Sequence, residues 1–127
     1  MPLWYNMSVI SCKVYHLRPG YHTIIEWLQH PDHVYIGRKG IVFIKGERFP
    51  IYDSIWTTPY KIGRDGTRAE VVQKYETLMR AKLAVDKELR QALMQLEGKV
   101  LGCWCAPEPC HGHVLLKLIE EQRKTAL

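Results

Sequence analysis

Residues 96–113 read Leu96-Glu97-Gly98-Lys99-Val100-Leu101-Gly102-Cys103-Trp104-Cys105-Ala106-Pro107-Glu108-Pro109-Cys110-His111-Gly112-His113. Gly98 is the residue type that closes a helix by taking a left-handed conformation. The apolar run 99–104 that follows is short and bounded by turn residues, as a buried strand is. After two prolines the period changes. Val114, Leu115, Leu118 and Ile119 share one helical face, which predicts a final helix from Cys110 to about Arg123. Helix, strand and helix in succession point to an α/β fold with a mainly parallel sheet.

The rest of the chain fits that alternation. Residues 9–15 read as a strand with Ile10, Cys12 and Val14 on one face. Residues 21–29 carry Ile24, Ile25 and Leu28 at helical spacing, and residues 34–37 form a second short strand. Residues 41–44 and a weaker run ending at Ile51 are joined by Lys45-Gly46, which predicts a hairpin excursion from the sheet, and Pro50 confines its second arm to an edge. Thr67-Arg68-Ala69-Glu70 has the form of a capping box. The helix it opens bears Val71, Val72, Tyr75, Leu78 and Met79, and a second apolar set follows at Val85, Leu89, Ala92, Leu93 and Leu96. An unbroken helix through both sets is too long for a chain of this size, so a break is expected near Asp86. The expected architecture is one α/β domain over 1–127: a small Rossmann-like, mainly parallel sheet flanked by helices, with the hairpin inserted at 39–53.

Length and composition set the outer limits. The 127 residues suit a single core, and 46% hydrophobic with 24% charged residues excludes a wholly disordered chain. Nothing approaches the roughly 20 apolar residues that span a bilayer, and residues 1–8 have neither a basic nor an apolar signal region. Four cysteines without such a signal imply a reducing compartment, so the chain is expected to be cytoplasmic with reduced thiols and no membrane partner. The net charge is +5. Between Gly37 and Arg68 lie Arg38, Lys39, Lys45, Arg48, Lys61, Arg64 and Arg68 against only Glu47, Asp53 and Asp65, so most of the excess sits in the middle of the chain. A basic middle on a neutral body suits an anionic partner, either a phosphorylated small molecule or a nucleic acid.

Parallel sheets gather the loops that leave their strand C-termini along one edge, where ligands bind. That places Arg18, Gly37-Arg38 and 105–111 together, with the start of the capped helix facing them. Two groups there can carry chemistry. In Lys61-Ile62-Gly63-Arg64-Asp65-Gly66-Thr67-Arg68, two glycines permit a tight turn and a helix N-terminus follows, flanked by cations. Arg38, Lys61, Arg64, Gly66, Thr67 and Arg68 are therefore the candidate phosphate-binding residues, with Asp65 as a proton-transfer group or a turn residue. In the second group, Cys103, Cys105, Cys110 and His111 or His113 have the residue types of a zinc site, but the spacing lacks paired knuckles. The same residues also suit a pocket in which Cys110, or Cys105, is activated by His111 and the helix dipole, or small buried packing. Cys110, His111 and Asp65 are the candidate catalytic residues, Trp56 and Tyr60 the candidates for stacking on a base, and no cofactor or metal is assigned.

Several of these blocks occur together in one known family. Val34-Tyr35-Ile36-Gly37-Arg38, Ser54-Ile55-Trp56, Pro59-Tyr60-Lys61-Ile62-Gly63, Asp65-Gly66-Thr67-Arg68-Ala69-Glu70-Val71-Val72, Lys74-Tyr75, Leu96 through Pro107 and Cys110-His111-Gly112 resemble, in order, domain of unknown function 4326, found in bacteria, phages and large viruses. The resemblance covers about 34–118. It implies a compact α/β domain with a shared pocket built from the Gly-Arg, Asp-Gly-Thr-Arg and Cys-His-Gly elements, and it implies no reaction. Thr58-Pro59-Tyr60 stands where the family often has Asn-Pro-Phe, and 39–53 is an insertion that alters access to the pocket. The expected function is binding, with processing as an option, of a nucleotide or other phosphorylated small molecule. If there is turnover, a transferase or hydrolase is expected. The alternatives are a non-enzymatic protein that sequesters a signalling nucleotide, and a zinc-stabilised nucleic-acid-binding domain.

Overall fold

The computed structural model describes residues 8–104 and 108–125. The elements, in chain order, are β1 (Ser8–Ser11), α1 (Val14–Leu17), α2 (Ile24–Leu28), β2 (His33–Tyr35), β3 (Val42–Ile44), β4 (Glu47–Phe49), α3 (Arg68–Val85), α4 (Lys87–Met94), β5 (Val100–Cys103) and α5 (His111–Thr125). Strands β1, β5 and β2 form a three-stranded sheet with β5 in the centre, and both pairings are parallel. Strands β3 and β4 form a separate antiparallel pair, the hairpin expected from Lys45-Gly46, and both turn residues have positive φ.

The sheet separates two apolar layers, and the alternation of side chains along each strand decides which layer a residue joins. Val9, Val34, Ile36, Leu101 and Cys103 pack with α3, α4 and α5. Ile10, Cys12, Tyr35 and Val100 pack with Leu17, Ile24 and Trp27 on the opposite side. Gly102 makes this second layer possible. A Cβ there would lie 2.5 Å from Cys12 Sγ and 2.6 Å from the Trp27 ring. Gly112 does the same for α5, where a Cβ would lie 2.9 Å from both Ile36 and Val9. Its smallness serves helix-on-sheet packing.

Local signals hold where they are strong. Thr67 accepts from the Glu70 N–H while Glu70 accepts from the Thr67 N–H, a complete capping box. Asp86 ends α3 and caps α4 by accepting from the Leu89 N–H at 2.9 Å, so the helix breaks at the expected residue. Two expectations need correction. The first strand stops at Ser11 instead of running to 15. One further rung forms, from Cys12 N–H to Cys103 O, and then the His16 and Leu17 N–H groups both turn back onto Lys13 O, which makes 14–17 helical. The helix expected over 21–29 is confined to Ile24–Leu28, because Thr23 caps it, and its buried face is Ile24 and Trp27.

Candidate functional site

The C-terminal ends of all three parallel strands open onto one cavity of about 510 Å³. Lys13 reaches it from beyond β1, Gly37 and Arg38 from beyond β2, and Cys103 and Trp104 from the end of β5. Pro109, Cys110 and His111 line it where α5 begins, and Arg68, Val71 and Val72 where α3 begins. Thr57, Thr58, Tyr60, Lys61 and Ile62 come from the loop between the hairpin and α3, and Ile41 from the foot of the hairpin.

Of the candidate residues, Arg38, Lys61, Arg68, Tyr60, Cys110 and His111 meet in this cavity. The two arginines are positioned by neutral acceptors. Arg38 Nη2 donates to the Tyr60 carbonyl at 3.1 Å, and Arg68 Nη1 donates to the Pro109 carbonyl at 3.2 Å. Carbonyl partners fix a guanidinium without cancelling its charge, and each arginine keeps further donors for a ligand. The backbone of Arg38 is held as well. Trp104 Nε1 donates to the Tyr35 hydroxyl at 2.6 Å, and that hydroxyl donates to the Arg38 carbonyl at 2.6 Å. Burial pushes the Tyr35 phenol up to about 12, so it remains a donor. Gly37 has no side chain because this relay passes beside it: a Cβ would lie 2.5 Å from the Tyr35 oxygen.

His111 is buried, and its Nε2 lies 2.6 Å from the Ile36 carbonyl, which can only accept, so that nitrogen carries the proton. Burial, with Arg38 and His113 as further contributors, holds the imidazole below its ordinary value and keeps it neutral. Its Nδ1 is then the basic nitrogen. His113 stabilises the start of α5 by accepting from the Cys110 N–H through Nδ1 at 3.2 Å. Cys110 Sγ lies 3.4 Å from Cys103 Sγ.

The remaining candidates are placed elsewhere. Trp56 is buried in the layer beneath α3, where its carbonyl accepts from the Tyr75 hydroxyl at 2.7 Å, so its ring is not offered for stacking. Arg64 is paired with Asp65 at 2.8 Å and donates to the Pro59 carbonyl, outside the cavity wall. Asp65 also accepts from the Lys61 N–H, and these bonds hold its carboxyl below the usual range. Asp65 is a clasp of the 61–66 loop and stays ionised, which does not suit proton transfer. Gly66 and Thr67 shape the start of α3: a Cβ on Gly66 would lie 2.9 Å from Glu70 Cβ, and the Thr67 hydroxyl and N–H are used by the capping box. Arg18 lies in the exposed turn after α1, and Lys13 occupies the position expected for it at the sheet edge. Cys105 lies outside the described residues. Among those described, no three His, Cys, Asp or Glu side chains come together to hold a metal ion. None of the described helices is long and apolar enough to cross a membrane.

Sequence reasoning missed Lys13, Thr57 and the Tyr35–Trp104 pair. The strand-end rule reaches Lys13 once the first strand ends at Ser11. Thr57 has no sequence signal, yet its hydroxyl is fully buried beside the cavity with no hydrogen-bond partner among the described residues.

With this geometry in place, the chain can be set beside known proteins. Residues 22–121 match the family described as a domain of unknown function (DUF4326), and the chain belongs to that family. The matched region is wider than the 34–118 expected from the motifs. A relative from Acanthamoeba polyphaga mimivirus, described as uncharacterized protein R718, is 33% identical over 93 residues, which cover 67% of this chain. The chain spans 65% of that relative's length. No solved structure matches.

Proposed function

We propose that this member of the family binds a nucleotide or another phosphorylated small molecule in the cavity at the C-terminal edge of the sheet. One observation carries the reading: Lys13, Arg38, Lys61 and Arg68 line the cavity, and no Asp or Glu is among its described lining residues. Cations that have no carboxylate partner among the described residues attract an anion, and forked guanidinium donors suit phosphate oxygens. Much of the remaining wall, including Ile41, Ile62, Val71, Tyr60 and Trp104, is apolar or aromatic and suits a flat base. The volume is that of a small-molecule site. A concave pocket with its cations clustered around it also fits a small molecule better than the extended basic stripe that nucleic acid requires.

In this reading residues 1–127 act as one unit. The three parallel strands serve as a reduced Rossmann-like core with the ligand outside their carboxyl ends. A reducing cytoplasm keeps the cavity cysteines as thiols. If the ligand is turned over, neutral His111 is the proton acceptor, since Asp65 is committed to its loop.

Calorimetric titration with nucleoside 5′-phosphates and their parent nucleosides tests the proposal. The phosphates should bind and the nucleosides bind far more weakly. Arg68→Ala should lower affinity by about tenfold or more, as expected for a lost charged hydrogen bond, with an unchanged melting temperature. Equal affinity for nucleoside and nucleotide, or unchanged affinity in Arg68→Ala, would contradict it.

A further inference from the structure

Strand β5 ends on Cys103, and α5 begins directly after Cys110. The two elements therefore deliver two thiols to one wall of the cavity, with their sulfurs 3.4 Å apart in a thiol–thiol hydrogen bond. We propose that Cys103 and Cys110 are a redox-active dithiol that hydrogen peroxide oxidises to an intramolecular disulfide in the cavity wall. This inference stands on the sulfur geometry and does not depend on the nucleotide reading.

Three features support it. Both residues are buried from bulk water and both belong to the cavity wall, so a small oxidant that enters the cavity meets them together. Cys110 directly precedes a 15-residue helix, and the positive end of a helix dipole favours a thiolate. Cys12 has neither property. It packs in the opposite layer with Trp27, and burial with help from Cys103 pushes its thiol up to about 12. Cys12 is a bystander.

The chemistry balances with peroxide as the two-electron oxidant. Cys110 loses its proton, and its sulfur attacks one peroxide oxygen. The O–O bond breaks, a sulfenic acid forms, and the departing hydroxide takes up the proton as water. The sulfur of Cys103 then attacks the sulfenic sulfur. The S–S bond forms, the S–O bond breaks, and the Cys103 proton leaves with the hydroxide as a second water.

The test uses the full chain, reduced and then freed of reductant. It is treated with limiting hydrogen peroxide, unfolded, alkylated and weighed. Cys103, Cys105 and Cys110 fall in one tryptic peptide, 100–117, whose fragmentation shows which thiols are tagged. The oxidised protein should lose the mass of two hydrogens and carry tags on Cys12 and Cys105 only, and dithiothreitol should restore all four sites. Cys105→Ser should keep the mass loss, and Cys110→Ser should abolish it. Alkylation of all four cysteines after peroxide, a bond that includes Cys105 or Cys12, or oxygen addition without a disulfide would each overturn the proposal. The tag positions in the unmodified chain decide the matter even if Cys110→Ser fails to fold.

Discussion

On the outer face of α3 and α5, Arg80 is held by Glu76 at 2.9 Å and by Glu121 at 2.8 Å, and Lys117 reaches Glu76 at 3.2 Å. At the sheet edge, Arg38 and Arg68 are held by the carbonyls of Tyr60 and Pro109, and Lys13 and Lys61 line the same cavity. Among the described residues, none of those four has a carboxylate partner. The residue types are the same, but the electrostatic outcome is opposite. A carboxylate partner consumes the charge it positions, whereas a carbonyl partner positions it and leaves it available. Arg64 shows the rule inside a single loop, because its pairing with Asp65 removes it from the anion-binding set.

The comparison breaks most visibly through the cavity arginines. Replacing Arg38 and Arg68 together with Ala should weaken nucleotide binding by about a hundredfold or more, since each charged hydrogen bond contributes ~1.5–3 kcal/mol. The same binding should weaken as ionic strength rises. Comparable losses from Arg80→Ala would remove the distinction between the two regions.

Tyr35→Phe probes how the cavity arginine is held. It strips the acceptor from Trp104 Nε1 and the donor from the Arg38 carbonyl. A loss of about 1–3 kcal/mol in denaturant unfolding is expected for buried groups left without partners, together with weaker ligand binding. Loss of stability with full affinity would mean that the relay does not position Arg38.

Glu76→Gln acts on the other region. It removes the shared partner of Arg80 and Lys117, whose own side chains are nearly half exposed, and surface pairs of this kind contribute about 0–1 kcal/mol. A small drop in melting temperature with unchanged ligand affinity is expected.

The smallest effect concerns pH. Burial holds His111 and His113 below the ordinary histidine value of 6.5. The unfolded chain therefore takes up protons first as the pH falls. The stability associated with these two groups is complete above 6.5 and is lost below it. Melting temperatures between about pH 7 and pH 5 should fall, and His111→Gln should flatten that slope.

What could be read in advance was governed by local or repeating physics. The Thr67–Glu70 box and the Asp86 break are short-range hydrogen bonds written in adjacent residues. The parallel order of the strands brings Arg38, Cys110 and His111 to one edge, and the loop before α3 adds Tyr60, Lys61 and Arg68, while Arg18 lies elsewhere. The misread residues depend on partners that sequence does not display. Trp56 is buried among apolar side chains from other elements, Tyr75 of α3 among them. Val14 continues the alternation of Ile10 and Cys12, but the chain there turns back onto Lys13. Nothing adjacent to Gly112 in the sequence shows that Val9 of β1 and Ile36, just beyond β2, pack against it.

Amide chemical-shift mapping of the isotopically labelled chain, titrated with a nucleoside 5′-phosphate, tests the central claim most directly. The account predicts saturable shifts around Arg38, Lys61, Arg68 and Cys110, with the amides of Arg80, Lys117 and Glu121 unmoved. Shifts centred on the α3–α5 charged face, or none at all, would contradict it.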